Sequence, residues 1–498
     1  MSPGKHKPLK CLFIGVDGAT ADVISPMVDA GRLPAFARLR REGAYGRMRS
    51  QPGYSSPALW CTIESGYPPE EHGVLGFPTA LRSNLRRPRL HERAARSGWT
   101  VGMCRMFCNW PPAENEAFVV PSFAGVAGKA KPGWVEPLCT AKVLSGAGDK
   151  ARFAWSCVRA RLGLRPLGKL LRAGLGARRR EREDSASYYH IQNAQHWLYA
   201  RLFSRLVRLH GPDYAALMIG MADSVGHRYW HYHEMRRRGE RHRACRRFGG
   251  VVERAYAEID RAIGELLALA DDETTVVIAS DHGMEYVGRG GANLVVASAL
   301  PKLLGLDSQV EAYFAGYIAY LGIPAGTMPL EALLEKVAET RLTSPEQPLF
   351  DPCHVSGKRI RLGIARNVAY EPDRRVRLWN GRTVRLGDLA RREPRRPGDH
   401  GHGPDGILML RGPGVRPGAA IRDATHYHVA PTALALLGMP IPRGLKESPL
   451  TDVLQPECVA GIAYAENEQA SPATPGETLT AEQEATLEDR LRDLGYID

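Results

Sequence analysis

The amino-acid sequence predicts an α/β protein built on an open sheet, and two observations carry the prediction. Lys10–Asp17 (KCLFIGVD), Tyr214–Met221 (YAALMIGM) and Thr275–Ala279 (TVVIA) are apolar runs of strand length, and runs of this kind form strands buried on both faces. Each run also leads into a carboxylate: Asp17, Asp223 and Asp281. In an open α/β sheet the loops at the carboxyl ends of strands gather on one edge, where active sites form.

The elements follow in order. Gly18 turns the chain after the first run, and Asp22, Val23, Ile24, Met27 and Val28 open a helical pattern that Leu33-Pro34 and Phe36–Leu39 extend. Strand, turn and helix together are the opening of an α/β unit. In Tyr54–His72, Ser55, Ser56 and Pro57 mark a transition into a helix, with a hydroxyl at the cap and proline at the first position. Leu59, Trp60 and Ile63 face inward there, and Gly66 ends the helix. Trp99–Cys104 reads as another strand and Trp110-Pro111-Pro112 as a turn.

From Phe123 to His210 glycine, alanine and arginine dominate and Tyr188–Leu209 is helical, so residues 123–210 are expected to be a basic helical cap insertion. The helix at Val252–Leu269 places Tyr256, Ile259, Ile263, Leu266 and Leu267 on one stripe, which predicts core packing. Residues 301–398 are less regular and read as a second insertion, with strands at Phe314–Leu321 and Val376–Trp379 and a basic linker at Arg391–Pro397. Asp399-His400-Gly401-His402-Gly403-Pro404-Asp405-Gly406 leads into the strand Ile407–Leu410, Val429–Leu437 is an apolar helix, and Glu466–Glu488 is a polar tail expected to be partly mobile. The core is thus expected in residues 1–122, 211–300 and 399–498.

Composition narrows the functional classes. The 498 residues exceed the ~250 to 300 at which one hydrophobic core stops growing. At 44% hydrophobic and 24% charged residues the chain is an ordinary globular protein. The net charge of +13 is partly local: Arg159–Arg180 holds eight cations and no acid, and Arg236–Arg247 is a second cluster. Such runs serve as solvated helix faces or attract phosphate-rich substrates, nucleic acid or anionic lipid. No nucleic-acid motif accompanies them, and peripheral membrane contact through the basic cap is a further reading. No apolar run approaches the ~20 residues that span a bilayer. The apolar stretch Cys11–Val16 meets Asp17 too soon for a signal sequence, and the nine cysteines include no CxxC pair. These features together predict a reducing, cytoplasmic setting.

Asp281-His282 at a strand end, Asp223 and His227 four residues apart, and His400 and His402 flanking a glycine are all ligand-type arrangements. Three aspartates, three histidines and one serine hydroxyl are the inventory of a two-metal phosphoryl-transfer site. A serine at a helix N-terminus sits where the dipole and backbone N–H groups favour an anion. Ser55 and Ser56 are alternative registers for that hydroxyl, and His400 competes with His402.

These blocks resemble the alkaline phosphatase superfamily, specifically its type I phosphodiesterase and nucleotide pyrophosphatase branch. The carrying residues are Gly15-Val16-Asp17-Gly18, Ser56-Pro57-Ala58-Leu59-Trp60 through Ser65-Gly66 and His72-Gly73-Val74, Asp223 to His227, Ser280-Asp281-His282-Gly283-Met284, and His402 with Pro404-Asp405-Gly406. Ala430-Pro431-Thr432, Leu436-Leu437-Gly438 and Leu494-Gly495-Tyr496 extend the likeness. It implies a three-layer α/β/α sandwich around a mostly parallel central sheet, with two inserted cap regions. It further implies a metal-dependent phosphodiesterase or pyrophosphatase acting on a small-molecule phosphoester.

By that resemblance Asp17, Asp281, His282 and the Ser56 oxygen hold one divalent metal, and Asp223, His227 and His402 the other. Zinc suits the mixed ligands, with manganese as the alternative, and Ser56 is the nucleophile that forms a phosphoseryl intermediate. Leu59 stands where nucleotide-cleaving relatives place an asparagine, and the arginine of the sulfatase signature is missing. Two other functions fit the same inventory: phosphotransfer to an alcohol acceptor, and metal-containing but non-catalytic binding of anions.

Overall fold

The computed structural model describes residues 8–51, 54–77, 84–109, 116–122, 130–139, 152, 155–161, 186–285, 292–296, 300–306, 310–315, 318–323, 328–350, 354–356, 359–365, 368–394 and 405–469. The chain divides into two compact units, the first holding Met1–Val287 and Pro397–Arg490, the second built on Gly288–Arg396.

In the first unit, β1 (Cys11–Val16), β2 (Ala44–Arg49), β3 (Val101–Cys104), β4 (Glu116–Val120), β5 (Tyr214–Ile219), β6 (Thr275–Ala279), β7 (Gly406–Arg411) and β8 (Ala419–Thr425) form one sheet. Its order is β8-β2-β7-β6-β1-β5-β3-β4. Only β7 runs against the rest, antiparallel to β2 and β6. Every residue of β1, β5 and β6 is buried, which is why these three strands are continuous apolar runs. The expected mostly parallel sheet is therefore present. Strands β2, β4 and β8 were not anticipated: β2 (AYGRMR) and β8 (AAIRDAT) are half exposed at one side of the sheet, and β8 carries a bulge between Ile421 and Ala424.

Among the described residues the helices of seven or more residues in this unit are α1 (Ala21–Asp29), α2 (Pro34–Glu42), α3 (Ser56–Ser65), α4 (Leu90–Arg96), α5 (Ala186–His210), α6 (Met221–Arg237), α7 (Val251–Leu266) and α8 (His426–Leu436). Side chains alternate across a strand, so each sheet face has its own set. Leu12, Ile14, Leu217, Ile219, Val276, Ile278 and Met409 share one core cluster with Ile24, Phe36, Leu202, Val225, Ile259 and Ile263 from α1, α2, α5, α6 and α7. On the opposite face α3 contacts α8 and α4. A Cβ at Gly15 of β1 would lie 2.9 Å from the Trp60 ring of α3, so glycine there lets the helix approach. Helices thus cover both faces, giving the three layers expected. Helix α5 lies against β3, β4 and β5, with Leu198, Leu202 and Leu206 recurring every four residues in the core cluster. This part of the expected cap insertion therefore belongs to the helical layer on the sheet.

The second unit has its own core, including Leu321, Leu342, Ile360, Val376 and Leu386. Its described residues form two four-stranded antiparallel sheets and a two-stranded pair. Two expectations change here. Phe314–Leu321 is not one strand but parts of two, Glu311–Ala315 and Ile318–Gly322, paired as a hairpin. The linker expected at Arg391–Pro397 is a strand over Ala390–Pro394, paired antiparallel with Ala292–Val296. Its charged sequence hides a strand whose partner lies far away in the chain. Among the described residues no helix is long and apolar enough to cross a membrane.

Candidate active site

The order β6-β1-β5 brings three strand ends side by side. Asp17 follows β1 directly. Helix α6 starts at Met221, so Asp223 lies in its first turn and His227 one turn later. Asp281 and His282 follow β6 after Ser280. Asp17, Asp223 and Asp281 are 2%, 0% and 0% exposed. The Asp223 N–H donates to the Asp17 carbonyl at 3.0 Å, closing the two turns on each other. Gly18 makes this possible. Its φ is +71°, and a Cβ there would stand 2.7 Å from the Asp223 Cα.

His282 Nδ1 lies 2.8 Å from the Gly283 carbonyl, which can only accept, so Nδ1 donates to it and Nε2 is left facing the carboxylates. That Nε2 is 3.5 Å from Asp17 Oδ1, 3.5 Å from Asp281 Oδ2 and 3.9 Å from Asp223 Oδ1. His227 Nε2 is 3.2 Å from Asp223 Oδ1. Three buried carboxylates gathered around one ring nitrogen require protons or a cation among them.

Ser56, at the first position of α3, is 3% exposed. Its Oγ lies 3.4 Å from Asp17 Oδ1 and 3.4 Å from His282 Nε2. Ser55 is the N-cap, and its buried Oγ finds no hydrogen-bond partner among the described residues. Geometry thus places the Ser56 hydroxyl, rather than that of Ser55, in the cluster.

Burial, reinforced by Asp281 and Asp223, holds the Asp17 carboxyl well above the usual carboxylate range. Burial also raises Asp281, partly offset by His282. No lysine or arginine among the described residues pairs with Asp17 or Asp281. Donor atoms of Asp17, Asp281 and His282 all lie within 4.8 Å of one another, and the buried Asp281 Oδ2 takes no hydrogen bond from the described residues. This set of hard oxygens and one imidazole nitrogen fits a divalent cation.

Three residues that the sequence reading did not assign to the site hold it in shape. Ser280 Oγ accepts from the Ala19 N–H at 2.8 Å and donates to the His282 carbonyl at 2.7 Å, tying the turn after β1 to that after β6. Tyr256 Oη accepts from the Thr20 N–H at 3.1 Å and donates to the Gly18 carbonyl at 3.4 Å. His426, at the start of α8, donates from Nε2 to the Asp281 carbonyl at 2.6 Å, and burial lowers it to about 4. A lone histidine opening a helix gives no local signal of this contact. His400 and His402 lie outside the described residues. Because β7 is reversed, its first residues reach this same edge: a Cβ at Gly406 would stand 2.0 Å from the Ser280 carbonyl oxygen, and one at Gly283 2.6 Å from that of Asp405.

Residues 11–326 match the family described as type I phosphodiesterase / nucleotide pyrophosphatase. The chain belongs to this family. It is therefore a phosphoester hydrolase of the phosphodiesterase and pyrophosphatase type, with the cluster at Asp17, Asp281 and His282 as its candidate metal site. Among solved structures, this family member is similar to phosphonoacetate hydrolase from Sinorhizobium meliloti 1021 in complex with phosphonoformate. That likeness has a TM-score of 0.48 and 14% identity, and covers 85% of this chain and 94% of the other. No curated protein matches the chain.

Proposed function

We propose that the protein is a two-metal phosphodiester or pyrophosphate hydrolase with Ser56 as nucleophile. The observation that carries the reading is the Ser56 hydroxyl, 3.4 Å from Asp17 and from His282 within a buried carboxylate cluster at a helix N-terminus. Asp17, Asp281, His282 and the Ser56 oxygen would hold one divalent cation, and Asp223, His227 and His402 a second. Zinc fits the mixed ligands, and manganese is the alternative. Bound there, the cations offset the carboxylates and stabilise charge that develops on the phosphoryl oxygens.

Ser56 Oγ attacks phosphorus in line and displaces the alcohol or phosphate leaving group, which takes up the proton that Ser56 loses, giving phosphoserine. Water then cleaves the phosphorus–oxygen bond to Ser56 and restores the hydroxyl. The positive end of α3 favours the anion during each step. Leu59, one turn into α3 and 1% exposed, offers no amide to a phosphate oxygen, which favours non-nucleotide esters. The eight described cysteines are all free, which supports the reading of a reducing, cytoplasmic setting.

Ser56→Ala tests the nucleophile with a chromogenic diester, a pyrophosphate and a monoester. At saturating metal, turnover is expected to fall at least about a thousandfold while Asp17, Asp281 and His282 still hold the cation. Retained turnover in the variant excludes Ser56 as nucleophile. Product analysis with added glycerol separates hydrolysis from transfer to an alcohol.

A further inference from the structure

A pocket of about 360 Å³ opens between the C-terminal half of α5 and the end of α7, closed on a third side by Ala160 and Arg161. Both helices lead into strand starts, β5 at Tyr214 and β6 at Thr275, so the pocket lies toward the sheet edge opposite Asp17 and Asp281. Arg161, Arg201, Arg205 and Arg208 line it, against one carboxylate, Glu265. The last three arginines recur at helical spacing on one face of α5.

Glu265 is already engaged, accepting from Arg201 at 2.8 Å. Among the described residues Arg161, Arg205 and Arg208 have no acidic partner. Among the described residues, the buried Nε atoms of Arg201 and Arg205 find no hydrogen-bond partner. Four guanidinium groups around a space of ligand size, with donors unused, call for an anion, and phosphate matches their planar forks best.

The surroundings indicate where that phosphate comes from. Residues 155–159 form a short helix that leads to Ala160 and Arg161. Ser156, Cys157 and Ala160 are buried, and Ser156 Oγ donates to the Trp134 carbonyl at 2.8 Å. The other face is exposed and apolar: Trp155 is 53% and Val158 76% exposed. Arg159 lies over the Trp155 ring at 5.1 Å. Leu209, beside Arg208, is 48% exposed. An indole flanked by cations, with aliphatic side chains, suits the boundary between lipid headgroups and acyl chains. Val158 and Leu209 have no flat face on which a nucleic-acid base could stack.

We propose that this arginine pocket docks the protein on membranes by taking the phosphate of an anionic lipid headgroup while Trp155 and Val158 enter the interface. The surface lies away from the metal cluster and does not depend on the proposed chemistry there.

The test is sedimentation of the full-length protein with vesicles of phosphatidylcholine, with and without phosphatidylglycerol. Binding is expected only with phosphatidylglycerol, and it should weaken as salt is raised. Arg205→Ala with Arg208→Ala should lower the partition coefficient about thirtyfold, from roughly fivefold per arginine near an anionic surface. Arg205→Lys with Arg208→Lys keeps the charge but loses the planar forks, so its binding should fall between that of the unaltered protein and that of the alanine pair. Trp155→Ser with Val158→Ser should weaken it several-fold, with thermal melts confirming that each variant is folded. Equal binding to both vesicle types, or binding indifferent to the alanine pair, overturns the proposal. So does arginine-dependent binding of inorganic phosphate or of an RNA oligonucleotide without vesicle binding.

Discussion

The carboxylate cluster at the ends of β1, β5 and β6 and the arginine pocket between α5 and α7 each gather like charges, but at opposite depths. Asp17, Asp223 and Asp281 are at most 2% exposed, fixed by backbone turns and by Ser280, Tyr256 and His426. The arginines stand on a helix surface where water screens them; the Arg201 side chain is 40% exposed. Buried like charges cannot all be ionised without a counter-charge, so a cation or protons must be part of the cluster. Solvated ones can wait for a ligand at little cost. The first arrangement therefore couples ligand binding to folding, whereas the second changes affinity and leaves folding almost untouched.

The largest expected effect breaks the comparison at its buried end. Removing metal with a chelator should lower the thermal midpoint strongly, because a ligand at about a hundred times its Kd contributes about 2.7 kcal/mol. Asp281→Asn should cut metal affinity at least about a hundredfold, yet stabilise the metal-free protein by removing a buried charge. Calorimetry with and without zinc reads both. In the metal-free protein the folded-state pKa of Asp17 is raised, so the folded state holds more protons than the unfolded chain. Stability should therefore be greatest at low pH and fall as pH rises from the ordinary value of 3.8 through the raised one. Asp17→Asn should flatten that slope, and an unchanged slope would show that the carboxylate is not buried as described.

A smaller effect concerns how closely the turns approach. Gly18→Ala places a Cβ at positive φ and against the Asp223 backbone, so a loss of at least about 2 kcal/mol is expected in denaturant melts. A loss below about 0.5 kcal/mol would mean that the turns are not locked together. The smallest effect is at the other end: Arg208→Ala should change stability by less than about 0.5 kcal/mol, as surface substitutions do. A large loss there would make the arginine pocket a structural element and erase the contrast.

The sequence made the central strands legible because burial on both faces demands continuous apolar runs, as in CLFIGV and TVVIA. It did not reveal β2 or β8, whose half-exposed positions carry polar and small residues, or the strand at Ala390–Pro394, whose partner is distant in the chain. At the site, residue type and strand-end position singled out Asp17, Asp223, His227, Asp281 and His282. The choice of Ser56 over Ser55 depended on which hydroxyl the start of α3 turns inward.

What the sequence determined alone is the family, the α/β class and a set of acidic and imidazole side chains at strand ends, because strand burial and turn chemistry are local and periodic. What only the tertiary structure decided is which of them meet. The order β6-β1-β5 sets Asp17 between Asp281 and Asp223, although these three are far apart in the chain. The supports from Tyr256 and His426, and the gathering of Arg161 with α5, likewise arise from packing between distant segments. No local pattern encodes such contacts, because they depend on how strands and helices from separate parts of the chain are laid side by side.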